Sequence, residues 1–311
     1  MNFSKNIFSF LFIGMIPLSL IAQDDKMQHE MDSIMALEKA PKEFVYATFK
    51  TTRIINLQTT ETAGRRSLDY RIQHRFGELN TGANNAWGID GPANLYMSLE
   101  YSHDGRLMAS IGRSSMDKLS EGFLKYRLIR QGLKGGSPLS VTLFSAMNYT
   151  ATRDPNKITN GYDKYANRWD RFSYCHMIII GRKFTDWLSF EIAPMMIHYN
   201  LVEFIRDRND VFALGVGGRY KLGARFSLSA EYIIRLNKYS DTYSSYHNSA
   251  SLGFDIETGG HVFQIHLTNS LGINETQFVP YTRTNWNNLG VRIGFNMSRV
   301  FSLAHQEKWT E

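Results

Sequence analysis

Residues 215–236, GVGGRYKLGARFSLSAEYIIRL, decide the fold. Val216, Gly218, Tyr220 and Leu222, then Phe226, Leu228, Ala230, Tyr232, Ile234 and Leu236, occupy one face of an alternating pattern. Gly217, Arg219 and Lys221, then Arg225, Ser227, Ser229, Glu231 and Arg235, occupy the other, with Ile233 the exception. Side chains on a strand alternate faces, so this is two strands and a tight turn. A soluble sheet buries its apolar face, whereas a membrane barrel turns it to lipid and keeps the charges inside.

The start of the chain favours the barrel. MNFSKNIFSFLFIGMIPLSLIAQDD carries Lys5, an apolar run from Ile7 to Ile21, then small Ala22 before Gln23. That layout predicts a secretory signal peptide over 1–22. Residues 23–66 are expected to form a periplasmic N-terminal segment. Within it, Met27, Met31, Ile34 and Met35 at helical spacing predict a short N-terminal helix. The barrel proper is expected over 67–303, with a C-terminal tail at 304–311. The single cysteine, Cys175, rules out an internal disulfide, and the net charge of +6 is spread along the chain, which gives no case for nucleic acid. Mean hydropathy is −0.31, which does not weigh against a barrel because alternating strands average out.

From residue 68 the alternation is steady. Strands are expected at 68–76, 93–101, 106–116, 122–131, 138–151, 171–184, 187–199, 209–222, 225–237, 248–257, 261–270 and 288–301, giving an antiparallel transmembrane β-barrel of about 12 strands. Tight links (SHDG, KGGS, FTDW, KLGAR, ETGG) alternate with longer ones, including DPNKITNGYDKYANRWD and GINETQFVPYTRTNWNN. Outer-membrane barrels sort short turns to the periplasm and longer loops to the exterior. Two stretches fit poorly. RFSYCHMIII (171–180) is apolar on both faces. EFVYATFKTTRIINLQTT (43–60) has β propensity without clean alternation, so it is expected inside the lumen or along the periplasmic rim, with an extra, unrecognised strand pair as the competing explanation.

The polar face predicts a crowded lumen of mixed charge. Its candidate lining residues are Arg71, Arg75, Glu100, Lys125, Arg127, Glu191, Arg219, Glu231, Arg235, Asp255, Glu257 and Arg292. Gly215, Gly217, Gly253, Gly290 and Gly294 join them at expected mid-strand positions, where glycine marks curvature or crowding. With Lys221, Arg225 and Asp69 added, nine basic residues face six acidic ones. An arginine at Ser229 is expected to meet water or a partner.

IGRSSMDKLSEGFLKYRLIRQ (111–131), NDVFALGVGGRYKL (209–222), FDIETGGHVFQIHLTNSLG (254–272) and GFNMSRVF (294–301) resemble a Bacteroidetes family of predicted outer-membrane β-barrel proteins of unknown function. The resemblance spans roughly 44–303. It implies fold and location and carries no activity or site residue with it. Phe295 and Phe301 are similar to the aromatic C-terminal signal read by the barrel assembly machinery, although the tail runs past it.

The residues offer no catalytic or metal constellation and call for no cofactor. His261 and His266 are five apart and point to opposite faces of a strand. His74 falls on the apolar face and reads as interfacial, and Cys175–His176, as strand neighbours, cannot form a nucleophile–base pair. GVGGRY and ETGGH lack the helix and lysine of a phosphate loop. Two functional readings stand: a narrow solute channel of weak anion preference, and a barrel-anchored binding or scaffold protein with a plugged lumen. A barrel enzyme ranks below both. The expected partners are outer-membrane lipid, the assembly machinery, and a small solute or periplasmic protein.

Overall fold

Alternation of apolar and small or charged residues builds twelve strands in the computed structural model, which describes residues 43–134, 136–153, 164–202, 207–237 and 246–303. The expected signal peptide, N-terminal helix and C-terminal tail lie outside these residues. The strands are β1 (Ser67–Glu78), β2 (Asn94–Ser102), β3 (Leu107–Ser114), β4 (Leu119–Ile129), β5 (Ser140–Thr150), β6 (Phe172–Lys183), β7 (Leu188–Tyr199), β8 (Asp210–Lys221), β9 (Phe226–Arg235), β10 (Ala250–Thr258), β11 (His261–Thr268) and β12 (Arg292–Ser302). Each pairs antiparallel with its neighbours in sequence, and β1 pairs with β12, so the barrel is closed and no edge is exposed. One short helix, α1 (Glu275–Phe278), sits in the link between β11 and β12. The last strand starts at Arg292, four residues later than the alternation suggested. Gly290 therefore lies in the preceding link, packed against Thr284 and Asn285, and is not a lumen glycine.

The two ends of the barrel differ. At the short-turn end, Asp104 accepts hydrogen bonds from the Arg106 and Leu107 amides (2.8 and 2.7 Å), and Gly105 sits at φ 80°, a region that favours glycine. The KLGAR turn closes through Leu222 N–H donating to Phe226 O. At the opposite, long-loop end only part of the β11–β12 link stands out in solvent. Residues 272–280 fold into the mouth and are buried, while 283–289 are exposed or half-buried.

The outer wall is apolar. Leu228, Leu252, Ile265, Ile111 and Leu124 point outward and are exposed. Aromatic pairs mark both rims: Trp187–Tyr220 (5.1 Å) and Phe226–Phe254 (5.7 Å) near the short turns, Tyr149–Phe172 (5.2 Å) and Trp169–Phe172 (5.6 Å) near the long loops. This is the girdled surface of a lipid-embedded barrel. His74 lies on it, stacked on Phe295 at 5.3 Å.

The inner wall has two halves. From β5 to β9 it is largely apolar, with Phe144, Cys175, Met177, Ile179, Met195, Ile197, Val211 and Ile233 all buried. On β1–β4 and β10–β12 it carries charged and amide side chains. The double apolarity of RFSYCHMIII follows: Cys175, Met177 and Ile179 face a dry interior while Ile178 faces outward.

Leu228→Arg is expected to reduce insertion into lipid vesicles sharply, because a charge at mid-bilayer costs roughly 2–4 kcal/mol. Leu228→Phe is expected to fold normally. Folded fractions from heat-modifiable gel mobility check both, and equal yields would refute the outward assignment.

Candidate functional site

The bore is occupied by the chain's own N-terminal segment. Residues 44–66 enter at the short-turn end, where Phe44 bridges Gly132 in the β4–β5 turn, and return there to begin β1. Between these points the chain makes a hairpin. Arg53 bridges Gln58, Ile54 N–H donates to Leu57 O (2.8 Å), and Thr59 N–H donates to Thr52 O (2.9 Å). Residues 52–61 are all buried. Of the lumen and rim positions expected for the segment, the structure places it in the lumen. Its irregular pattern reflects a hairpin with wall on every side rather than two faces.

Glu231 of β9 holds the tip. Its carboxylate accepts hydrogen bonds from the main-chain amides of Ile55 (3.1 Å), Asn56 (3.0 Å) and Leu57 (2.9 Å), and from Asn56 Nδ2 (2.7 Å). The tip carbonyls are taken by the polar wall: Ile54 O by Gln264 Nε2 (2.7 Å), and Ile55 O by Gln73 Nε2 (3.2 Å) and Asn296 Nδ2 (3.0 Å). Buried main-chain groups cut off from water need such partners. Glycines make room on the facing wall. A Cβ at Gly215 would lie 2.7 Å from Leu57 Cδ1, one at Gly253 would lie 3.1 Å from Ile55 Cδ1, and one at Gly217 would overlap Ile54 Cδ1.

The candidate lining residues point inward, and most of them contact the hairpin. Arg75 donates to Asn56 Oδ1 (2.7 Å) and Arg71 to Thr52 Oγ1 (2.7 Å), while Glu100 accepts from that same hydroxyl (2.9 Å). Lys125 donates to Thr52 O (2.8 Å), Arg127 to Thr60 O (3.2 Å) and to Glu61, and Glu191 accepts from Thr60 N–H (3.2 Å). Arg219, Asp255 and Glu257 form a local network on β8 and β10, with Lys50 of the hairpin segment 3.3 Å from Glu257. Arg235 and Arg292 sit near the long-loop mouth, the first bonded to Pro280 O and Tyr246 O, the second to Glu78 (2.7 Å).

Sequence reasoning missed Arg53, Glu61, Glu121 and Glu275. Arg53 lies 3.2 Å from Glu275 of α1 and 3.6 Å from Glu121 of β4, with Tyr96 donating to Glu121 (2.5 Å). Glu275 also accepts from Gln58 (3.2 Å), so the hairpin and the inward-folded β11–β12 link meet in mid-bore. Glu121 shares its strand parity with Lys125 and Arg127 and could have been read from the sequence. Nothing in the pattern signalled that a link would return into the bore.

The charge inventory changes accordingly. Lys221 and Arg225 are exposed at the rim, and Arg53 joins the interior, leaving eight basic side chains. Adding Glu61, Glu121 and Glu275 gives nine acidic ones, so the expected basic excess inside the bore is absent. Ser229 is buried and donates to Asp255 Oδ2 (2.6 Å), so an arginine there would meet packed protein rather than water. On the lipid-facing wall, Ser145 and His176 are hydrogen-bonded at 3.0 Å, a pairing across β5 and β6 that sequence neighbours could not reveal. Among the described residues the other ring nitrogen of His176 makes no hydrogen bond, and the pair sits mid-strand. It reads as a mutually satisfied polar pair. Among the described residues no cluster has metal-ligand composition.

Residues 49–301 match the family described as a membrane bound beta barrel domain, DUF5777. The chain belongs to this family and is a membrane β-barrel. No curated protein matches it. Among solved structures it is similar to the NanC porin (11% identity, TM-score 0.46, covering 76% of this chain and 100% of that one). It is also similar to the KdgM porin in complex with disordered oligogalacturonate (9%, 0.45, 76% and 99%). Outer membrane phospholipase A from Escherichia coli is similar too (13%, 0.43, 80% and 97%). These likenesses concern barrel form, and no residue role is carried over from them.

One outcome follows from the packing. Glu231→Ala strands three buried amides, at about 1–3 kcal/mol each if none finds a new partner. The variant is expected to unfold at lower urea concentration and to become cleavable by trypsin after Arg53, while the wild type resists at that bond.

Proposed function

We propose that this barrel works closed, as an outer-membrane protein that anchors binding surfaces at its two mouths rather than passing solutes through an open bore. The observation that carries this reading is the capture of the hairpin tip by Glu231 together with the complete burial of residues 52–61. The Arg53–Glu275 contact supports it, because it joins the two inserted segments across the middle of the bore. By the usual sorting of turns, the long-loop mouth faces the exterior and the short-turn mouth, where residue 44 enters, faces the periplasm. A small solute suits the first mouth and a periplasmic protein the second.

The channel reading requires the hairpin to leave. Even then the strand charges carry no large excess of either sign, and the ion preference would be weak. Planar-bilayer recording tests the proposal. The full-length protein is expected to insert without steady conductance, and a variant lacking residues 49–63 is expected to conduct. Sustained conductance by the full-length protein would overturn the closed-bore reading.

A further inference from the structure

The inserted β11–β12 link leaves space above it. Within the ring of strands at the long-loop end lies a cavity of about 620 Å³, floored by Gly272, Thr276, Gln277 and Tyr281. That volume is in the range of small-molecule sites. Its walls carry Arg153, Lys164, Arg171, Arg283 and Arg292 against Asp117 and Asp170, five basic residues to two acidic ones. Arg292 belongs to both regions, and the bore beneath is otherwise nearly balanced, so the mouth is more basic than the interior below it. Charges of one sign in a concave, protein-walled site focus their field outward and raise the local concentration of counter-ions.

The basic groups are held in place. Arg171 donates from Nη1 to Thr150 O (3.2 Å) and Thr152 O (2.8 Å) and lies over the Tyr165 ring at 4.1 Å, and among the described residues its Nε and Nη2 make no hydrogen bond. Arg292 is buried and bonded to Glu78 (2.7 Å), and among the described residues neither its Nε nor Thr276 Oγ1 on the floor has a hydrogen-bond partner. The acids are engaged elsewhere: Asp170 accepts from the Asn167 amide (3.2 Å) and Asp117 from Gln277 (3.3 Å). Tyr199 and Tyr281, packed edge to face at 5.7 Å, offer ring surface beside these donors. A guanidinium with free, pre-oriented N–H groups suits carboxylate, sulfate or phosphate, and ring faces suit the C–H face of a sugar.

We propose that the long-loop mouth binds a small organic anion of one or two sugar rings, taken from solution. The cavity lies inside the strand ring, so a headgroup whose acyl chains remain in the bilayer does not reach it. The inference rests on the closed-bore reading, because the inserted link is the floor of the site.

Calorimetric titration of the full-length protein in detergent tests it, with sucrose octasulfate as the probe and sucrose as the neutral control. The octasulfate is expected to bind saturably, more weakly as salt shortens the screening length, and sucrose is expected not to bind. Arg171→Gln combined with Arg283→Gln is expected to weaken binding at least tenfold. Arg283→Gln alone, on an exposed side chain, is expected to weaken it measurably without disturbing the fold. Arg182→Gln, near the short-turn end, is expected to leave it unchanged. Absence of saturable binding, equal binding by sucrose, or unchanged affinity in both mouth variants would overturn the site. Silent bilayers without binding would remove this inference alone. Steady conductance of the full-length protein would remove the closed bore and is read in a separate experiment.

Discussion

The carboxylate of Glu231, accepting three consecutive main-chain amides from the tip of an inserted hairpin, is the interaction on which the interior depends. A tight turn at residues 54–57 presents amides that no strand ladder can take. Left unpaired inside a protein, each would cost a substantial part of a domain's net stability. One acceptor on β9 satisfies them together, and Gln264, Gln73 and Asn296 from β11, β1 and β12 satisfy the carbonyls on the other side. The hairpin is therefore held by strands distributed around the ring, and the ring in turn has its inward polar groups matched by the hairpin. Arg71, Arg75, Lys125 and Glu100 would otherwise crowd a narrow bore with few partners.

The same insertion accounts for the division of the inner wall. Where Ile54, Ile55 and Leu57 lean on β8–β10, the wall offers glycines, and the neighbouring strands offer Met195, Ile197 and Ile233. Where main-chain groups and Arg53, Thr52 and Asn56 project, the wall offers carboxylates, amides and guanidiniums. The barrel thus has a core in the sense of a soluble domain, half apolar packing and half satisfied polar network, enclosed by strands whose outward residues meet lipid. The second insertion, around α1, extends that core toward the long-loop mouth and ends it at Thr276 and Gln277. Above that floor basic residues outnumber acidic ones, five to two.

The barrel itself was legible because it rests on local rules. Period-two alternation through residues 215–236 and its repeats gave strand number and facing, and alternating link lengths gave the two ends. What the sequence withheld depends on contacts between distant segments. RFSYCHMIII read as an anomaly because the polarity of an inward face is set by what fills the bore, and the filling lies more than a hundred residues away. Residues 43–60 lacked alternation because a hairpin surrounded by wall has no solvent face to mark. Gly215, Gly217 and Gly253 were recognisable as crowded positions, but their neighbours Leu57, Ile54 and Ile55 were not. Glu275 looked like a loop acid, and only its pairing with Arg53 places it in mid-bore. The expected basic excess failed for the same reason: strand parity counts wall charges and omits those that insertions bring.

Hydrogen exchange at the hairpin tip tests the filled bore most directly. In the full-length barrel in lipid vesicles, the amides of Ile55, Asn56 and Leu57 are held by Glu231, away from water. They are expected to exchange as slowly as mid-strand amides of β8 and β9, over hours or longer. Exchange of these three amides within seconds, at the rate of an exposed loop, while the strands remain protected, would contradict the account.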